Sequence, residues 1–361
     1  MSATNFVDWG LAERVALSLG RSDGAPGAFD QAAVDAACAD AVALVLEYSR
    51  LRPAGELPRP ELVDRAEWTR IGLRTLRELS DRLERRLADG LSLPGPLGGF
   101  ARSLAGAAAG AEAGVAVGYG ARKVLGQYDV PLVATERRPR LVFVGPNLAA
   151  AHSRLGEDPA LFLRWIAIHE STHSVQFASV PWLREHLAEL LEQLIAGASA
   201  GLDLGSLGQL GRRLIHTDPR AAIRKVLRGD LARVLAGPGQ GRTLDRLQAA
   251  MSVIEGHAEH VMDAAAEGLD PGYARLRERL EARRASRSGL GEVILRILGL
   301  ELKLRQYTIG KAFCDGVVEE AGVEGLNEVW RSPDALPTLD ELEHPANWLR
   351  RVGIESPTQA A

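Results

Sequence analysis

Two cysteines in 361 residues, Cys38 and Cys314, are too few and too far apart in sequence to build a disulfide framework. The opening stretch, Met1-Ser-Ala-Thr-Asn-Phe-Val-Asp8, lacks a basic segment followed by an apolar run. No signal peptide is expected, and a reducing cytoplasm is the expected setting. Aromatic residues make up only 5% of the chain, so the core must come from Ala, Leu and Val, which suits closely packed helices. Neither sign of charge dominates. The formal net charge is −4, which argues against a nucleic-acid partner or a strong attraction to anionic membranes. Only four of the 43 basic residues are lysine. No apolar run reaches the roughly 20 residues that a membrane span needs. The nearest, Leu104 to Val117, is interrupted by Glu112 and flanked by Arg102 and Arg122. Its glycines Gly106, Gly110, Gly114 and Gly118 recur every four residues and share one helical face, which predicts a buried, tightly packed helix. No repeat of 20–50 residues is present.

What is there is helical periodicity. The hydrophobic content of 46% supplies a sizeable core. Val34 to Leu51 and Pro60 to Leu87 read as long amphipathic helices, separated by Pro53 and Pro58. Further helices are expected over 159–178, 182–198, 219–236, 243–267, 273–288 and 291–323. Arg140-Leu-Val-Phe-Val144 is the clearest strand, short and β-branched and stopped by Gly145-Pro146. Pro333, Pro337 and Pro345 suggest a looser C-terminal cover. The expected fold is mainly α, with a small β-sheet edging a cleft. Its expected organisation is an N-terminal helical region over 1–130 and a metal-binding region over 131–361, or one continuous domain.

His169-Glu170-Ser171-Thr172-His173 places two histidines four residues apart. On a helix both imidazoles project the same way. Two imidazoles on adjacent turns form half of a tetrahedral Zn²⁺ site. Glu170 can reach the open position, where a carboxylate takes a proton from water and passes it to a leaving group. The surrounding sequence predicts the required helix. Asp158 is a candidate N-cap and Pro159 a first helical residue. Leu161, Phe162, Leu163, Trp165, Ile166 and Ile168 make the segment apolar nearly all round, and Pro181 helps to end it. The plain alternative is a chance pairing of two ordinary histidines.

A third ligand is needed, and Met251-Ser-Val-Ile-Glu-Gly-His-Ala-Glu-His-Val-Met-Asp263 offers one. Thr243 is a candidate cap for this helix, with Gly268 and Pro271 at its end. Leu244, Leu247, Met251, Ile254, Ala258, Val261, Met262 and Ala265 form one apolar stripe. Glu255 falls roughly 65° from its centre and His260 roughly 155° away. A carboxylate on a core-facing edge needs a partner. That partner is either Zn²⁺ or one of the many arginines. His257 is the main rival as third ligand. Glu259, one turn beyond Glu255, shares its side and is placed to hydrogen-bond a ligand histidine.

A His-Glu-x-x-His motif followed much later by Glu255-x-x-x-Glu259 resembles the gluzincins. In that group the distant Glu is the third zinc ligand, and the acid four residues on orients a ligand histidine. More closely, the chain resembles a bacterial family of zincin-like metallopeptidases, one branch of which is associated with coenzyme F-420 biosynthesis. The resemblance is carried by Val7-Asp-Trp-Gly-Leu-Ala-Glu13, Val124-Leu-Gly-Gln-Tyr-Asp129, Trp165-Ile-Ala-Ile-His-Glu-Ser-Thr-His-Ser-Val-Gln-Phe177, Ile254-Glu-Gly-His-Ala-Glu-His-Val-Met-Asp263 and Arg305-Gln-Tyr-Thr-Ile-Gly310. It implies fold and metal site more firmly than substrate. One departure stands out. Glu255 lies 82 residues beyond His173, a longer gap than gluzincins usually have, which implies inserted helices.

Amide hydrolysis also needs a donor for the oxyanion. His257 and Tyr307 are the candidates, with a packed core tyrosine the alternative for Tyr307. The strand Leu141–Val144 is placed to border the cleft and pair with an extended peptide. His152, His186, His216 and His344 read as surface residues, and the two cysteines as small packed hydrophobes. Two functions follow. One is a zinc-dependent hydrolase, in kind a metallopeptidase, that cleaves a peptide or amide bond with water activated by Glu170. The other is a non-catalytic zinc-binding scaffold or accessory protein linked to coenzyme F-420 biosynthesis. Glu170 favours the first, because a closed structural site has no use for a base. Substrate and oligomeric state are not legible.

Overall fold

The β-branched run Arg140–Val144 is extended and forms the middle of a three-stranded sheet. The computed structural model describes residues 7–20, 29–87, 96–132, 136–201, 240–266, 272–273, 275–279 and 301–354. Strand β1 (Pro60–Val63) pairs parallel with β3 (Arg140–Val144), and β2 (Gly126–Asp129) pairs antiparallel on its other side. The central position of β3 corrects the expectation that it is a free edge. Its backbone is taken up on both sides, and β1 and β2 are the edges. Alternation then sends its side chains to two cores. Leu141 and Phe143 pack with the helices that carry the metal motif. Val142 and Val144 pack under α1 (Trp9–Gly20), α3 (Arg65–Leu87) and α4 (Pro96–Gly120).

The expected helix from Pro60 to Leu87 is thus two elements. Glu61-Leu-Val63 lies extended along β3, and Asp64 accepts the Glu67 N–H at 2.7 Å, capping α3. Helix α2 (Gln31–Ser49) starts at Asp30, whose carboxylate accepts the Ala33 N–H. The Gly/Ala helix α4 lies on α1 as a packed helix. A β-carbon at Gly114 or Gly118 would come within 2.6 or 2.8 Å of the Ala12 or Ala16 carbonyl, so the stripe admits the neighbouring backbone. Among the described residues, no helix is long and apolar enough to cross a membrane.

Helix α5 (Gly145–Leu155) leaves β3 directly, and α6 (Pro159–Ser179) follows. Asp158 caps α6 by accepting the Leu161 N–H at 2.8 Å, with Pro159 in its first turn. Helix α7 (Pro181–Gly201) precedes α8 (Gly241–Ala266). Thr243 lies inside α8 and does not cap it. Helix α9 (Glu301–Asn327) is broken at Gly322. The expected helix 219–236 lies outside the described residues, as do Gly268, Pro271 and most of 273–288.

Helix α8 sits between two cores. Val261 and Met262 join α2, α5, α6 and β3. Val253 and Ile254 join α7, α9 and the C-terminal segment. Every residue from Ser252 to Met262 is buried, so the single apolar stripe read from sequence is too narrow a picture. The C-terminal segment is also tighter than its prolines suggested. Helices α10 (Leu339–Glu343) and α11 (Pro345–Val352) bring Trp348 to full burial, edge-on to Phe313, with its Nε1 donating to the Ala335 carbonyl at 2.7 Å.

Candidate metal centre

Two helices make the site. Buried helix α6 presents His169 and His173 one turn apart, and α8 presents Glu255 against them. His173 Nε2 lies 3.3 Å from His169 Nε2 and 3.4 Å from Glu255 Oε2, and His169 Nε2 lies 3.8 Å from that same oxygen. A tetrahedral Zn²⁺ with ligand bonds near 2.0–2.1 Å separates its ligand atoms by about 3.3 Å. The three edges therefore approximate one face of such a tetrahedron. Among the described residues these three side chains are the group able to hold a metal ion. Two imidazole nitrogens and a carboxylate oxygen are also the donor types that zinc takes in an open site. Burial opposes a proton on His173, but Glu255, Glu170 and Gln176 together outweigh it and shift its pKa upward. The pocket favours positive charge.

Glu170 is buried beside β2. Its Oε2 accepts the Tyr128 N–H of β2 at 3.0 Å. Leu125 gives its carbonyl to Val144 on β3, so by antiparallel alternation the Tyr128 N–H faces away from β3. Gly126 makes this approach possible, since a β-carbon there would lie 2.7 Å from Glu170 Cγ. The strand beside the site is therefore β2, and sequence reasoning missed it because Gly-Gln-Tyr-Asp has no strong strand pattern.

Gln176 was also missed. Its Oε1 lies 3.0 Å from His173 Nδ1, and its Nε2 lies 3.1 Å from the Ile254 carbonyl and 2.9 Å from His257 Nδ1. Its place three residues after His173 on one helix was a signal for it. His257 is fully enclosed, edge-on to Trp330 at 5.4 Å, and burial pushes its pKa down to about 3. Its Nδ1 meets Gln176 and not the metal-binding group. Glu259 is buried one turn beyond Glu255. The side chain of Tyr307 lies outside the described residues, as does His216. His186 is buried, which corrects its reading as a surface residue, and it lies against Trp182. His260 is buried too, with Nε2 2.7 Å from the Tyr48 hydroxyl and Nδ1 2.7 Å from Asp315 Oδ1.

The sequence profile of the zincin-like metallopeptidases matches residues 7–349. The chain belongs to that family. A solved structure is similar as well. A chain from Chloroflexus aurantiacus, described as a presumed hydrolase with a novel fold, superposes with a TM-score of 0.71 at 29% identity. The match covers 97% of this chain and 100% of that one. No curated protein matches the sequence. Membership in a zincin-like metallopeptidase family implies a metal, usually zinc, and the donor set of His169, His173 and Glu255 fits one.

Proposed function

We propose that this zincin-like protein is a zinc-dependent hydrolase of peptide or amide bonds, with His169, His173 and Glu255 as ligands and Glu170 as general base. The observation that carries the reading is the triangle of 3.3, 3.4 and 3.8 Å between two imidazole nitrogens and a carboxylate oxygen, with a second buried carboxylate adjoining in sequence. A bound Zn²⁺ supplies Lewis acidity toward a carbonyl and makes water more acidic. Glu170 then receives the proton of the attacking water and returns it to the departing nitrogen. The Tyr128 N–H holds one oxygen of that carboxylate in place. Edge strand β2, rather than β3, is the place where an extended substrate would lie along the site.

Glu170→Gln tests the assignment. The variant keeps size and shape but loses the base. Zinc content and thermal stability should stay near wild type, while cleavage of a broad peptide library falls by about 10²–10⁴. Full activity in the variant would refute the mechanism, and loss of zinc would make Glu170 a ligand or its support. A wild type that binds zinc yet cleaves nothing in that library would favour the scaffold reading instead.

A further inference from the structure

We infer that Gln176 is a two-ended positioning residue that sets His173 in its Nδ1–H tautomer before any metal arrives, so that the Nε2 lone pair faces His169 and Glu255. The inference rests on the ligand set proposed above and adds a residue outside it.

The Ile254 carbonyl decides the orientation of the amide. It is only an acceptor, so the Gln176 atom 3.1 Å away must be the NH₂ end. The reversed amide would place two carbonyl oxygens against each other inside a buried helix contact. With the NH₂ end on α8, Oε1 faces His173 Nδ1 at 3.0 Å and can only accept. His173 Nδ1 therefore carries the hydrogen, and Nε2 is left as a lone pair. The second hydrogen of the NH₂ group goes to His257 Nδ1 at 2.9 Å, so that nitrogen accepts and His257 carries its hydrogen on Nε2. One amide thus fixes the tautomers of two histidines and ties the ligand helix to the Glu255 helix one residue before the ligand.

The choice of an amide has a chemical consequence. A carboxylate at this position would orient His173 equally well but would set its other oxygen against the Ile254 carbonyl and the His257 lone pair. It would also add negative charge and make the ligand more basic. Gln176 orients without charge, so this link from His173 leaves Glu255 as the carboxylate of the proposed ligand set.

The test uses the full chain, labelled with ¹⁵N-histidine and stripped of metal, with His173→Asn and His257→Asn proteins to assign the signals. Multiple-bond ¹H–¹⁵N spectra taken above the raised His173 pKa, where that ring is neutral, should show His173 as Nδ1–H and His257 as Nε2–H. Gln176→Leu should lose the single tautomer of His173, and its zinc affinity, read by chelator competition, should fall about 10–100-fold. An Nε2–H His173 in the metal-free wild type would overturn the inference without reference to any variant. A Leu variant that keeps both the tautomer and zinc affinity within about twofold would overturn it as well. A metal-free wild type with the stated tautomers that then fails to bind zinc would leave the tautomer assignment standing and refute the ligand set.

Discussion

Helix α8 carries two buried polar faces that are built in opposite ways. At His260 the face is closed by protein: the Tyr48 hydroxyl sits on one ring nitrogen and Asp315 on the other, and Lys311 reaches Asp315 at 2.6 Å and Asp263 at 3.0 Å. Donors and acceptors alternate, so charge and hydrogen bonding balance within the chain. Five residues earlier, Glu255 Oε2 meets the Nε2 atoms of His169 and His173, and three atoms of the kinds that bind a metal ion converge on one point. A cation is what such an arrangement accommodates. The difference teaches that burial alone does not mark a site. The sign of the atoms that face one another does.

The largest expected effect separates the two faces. Glu255→Ala should weaken zinc binding by more than about a hundredfold, since one of three proposed ligands is gone. Above the raised His173 pKa, where that ring is neutral, it should cost the metal-free protein less than about 1 kcal/mol. Asp315→Ala should do the reverse. It strips a buried imidazole of its partner and should cost about 1–2 kcal/mol with or without zinc, while zinc affinity moves less than about threefold. Chemical denaturation and chelator competition on both variants check this. A metal-free Glu255→Ala protein that is strongly destabilised would show that Glu255 is a structural partner and not a ligand.

Much of the His169–His173 side of this contrast was legible in the sequence. His-Glu-x-x-His on a capped helix fixes the relation of His169, Glu170 and His173 through helical geometry alone, and the mainly helical fold with its small sheet follows from periodicity. The rest depended on contacts distant in sequence. His260 fell opposite the apolar stripe because the stripe assumes one buried side, whereas α8 is covered all round. Strand β1 was hidden because Pro60-Glu-Leu-Val is extended only through its pairing with β3, 81 residues away at Val63↔Val144. Tyr128 and Gly126 act through backbone, which side-chain patterns do not report.

A smaller effect concerns acid. Burial works to raise the Asp315 pKa, but its bonds to His260 and Lys311 outweigh that and hold it below the ordinary 3.8. A depressed carboxylate pKa adds stability above the unfolded-state value, and that stability is lost as pH falls through the folded-state value. The stability gap between wild type and Asp315→Asn should therefore be full at pH 5 and narrow below about 3.8. It should do so in metal-free protein, since acid at that pH protonates the proposed zinc ligands as well. Asp315 is nearly half exposed, so the narrowing will be modest. A gap at neutral pH that depends on zinc would mean that the two faces of α8 are coupled.

The most direct measurement of the central claim is elemental analysis of protein purified without added metal, beside His173→Ala and Asp315→Ala proteins prepared identically. The account predicts about one zinc per chain in wild type and in Asp315→Ala, as one tetrahedral site requires, and almost none in His173→Ala. Wild-type zinc in His173→Ala would contradict it.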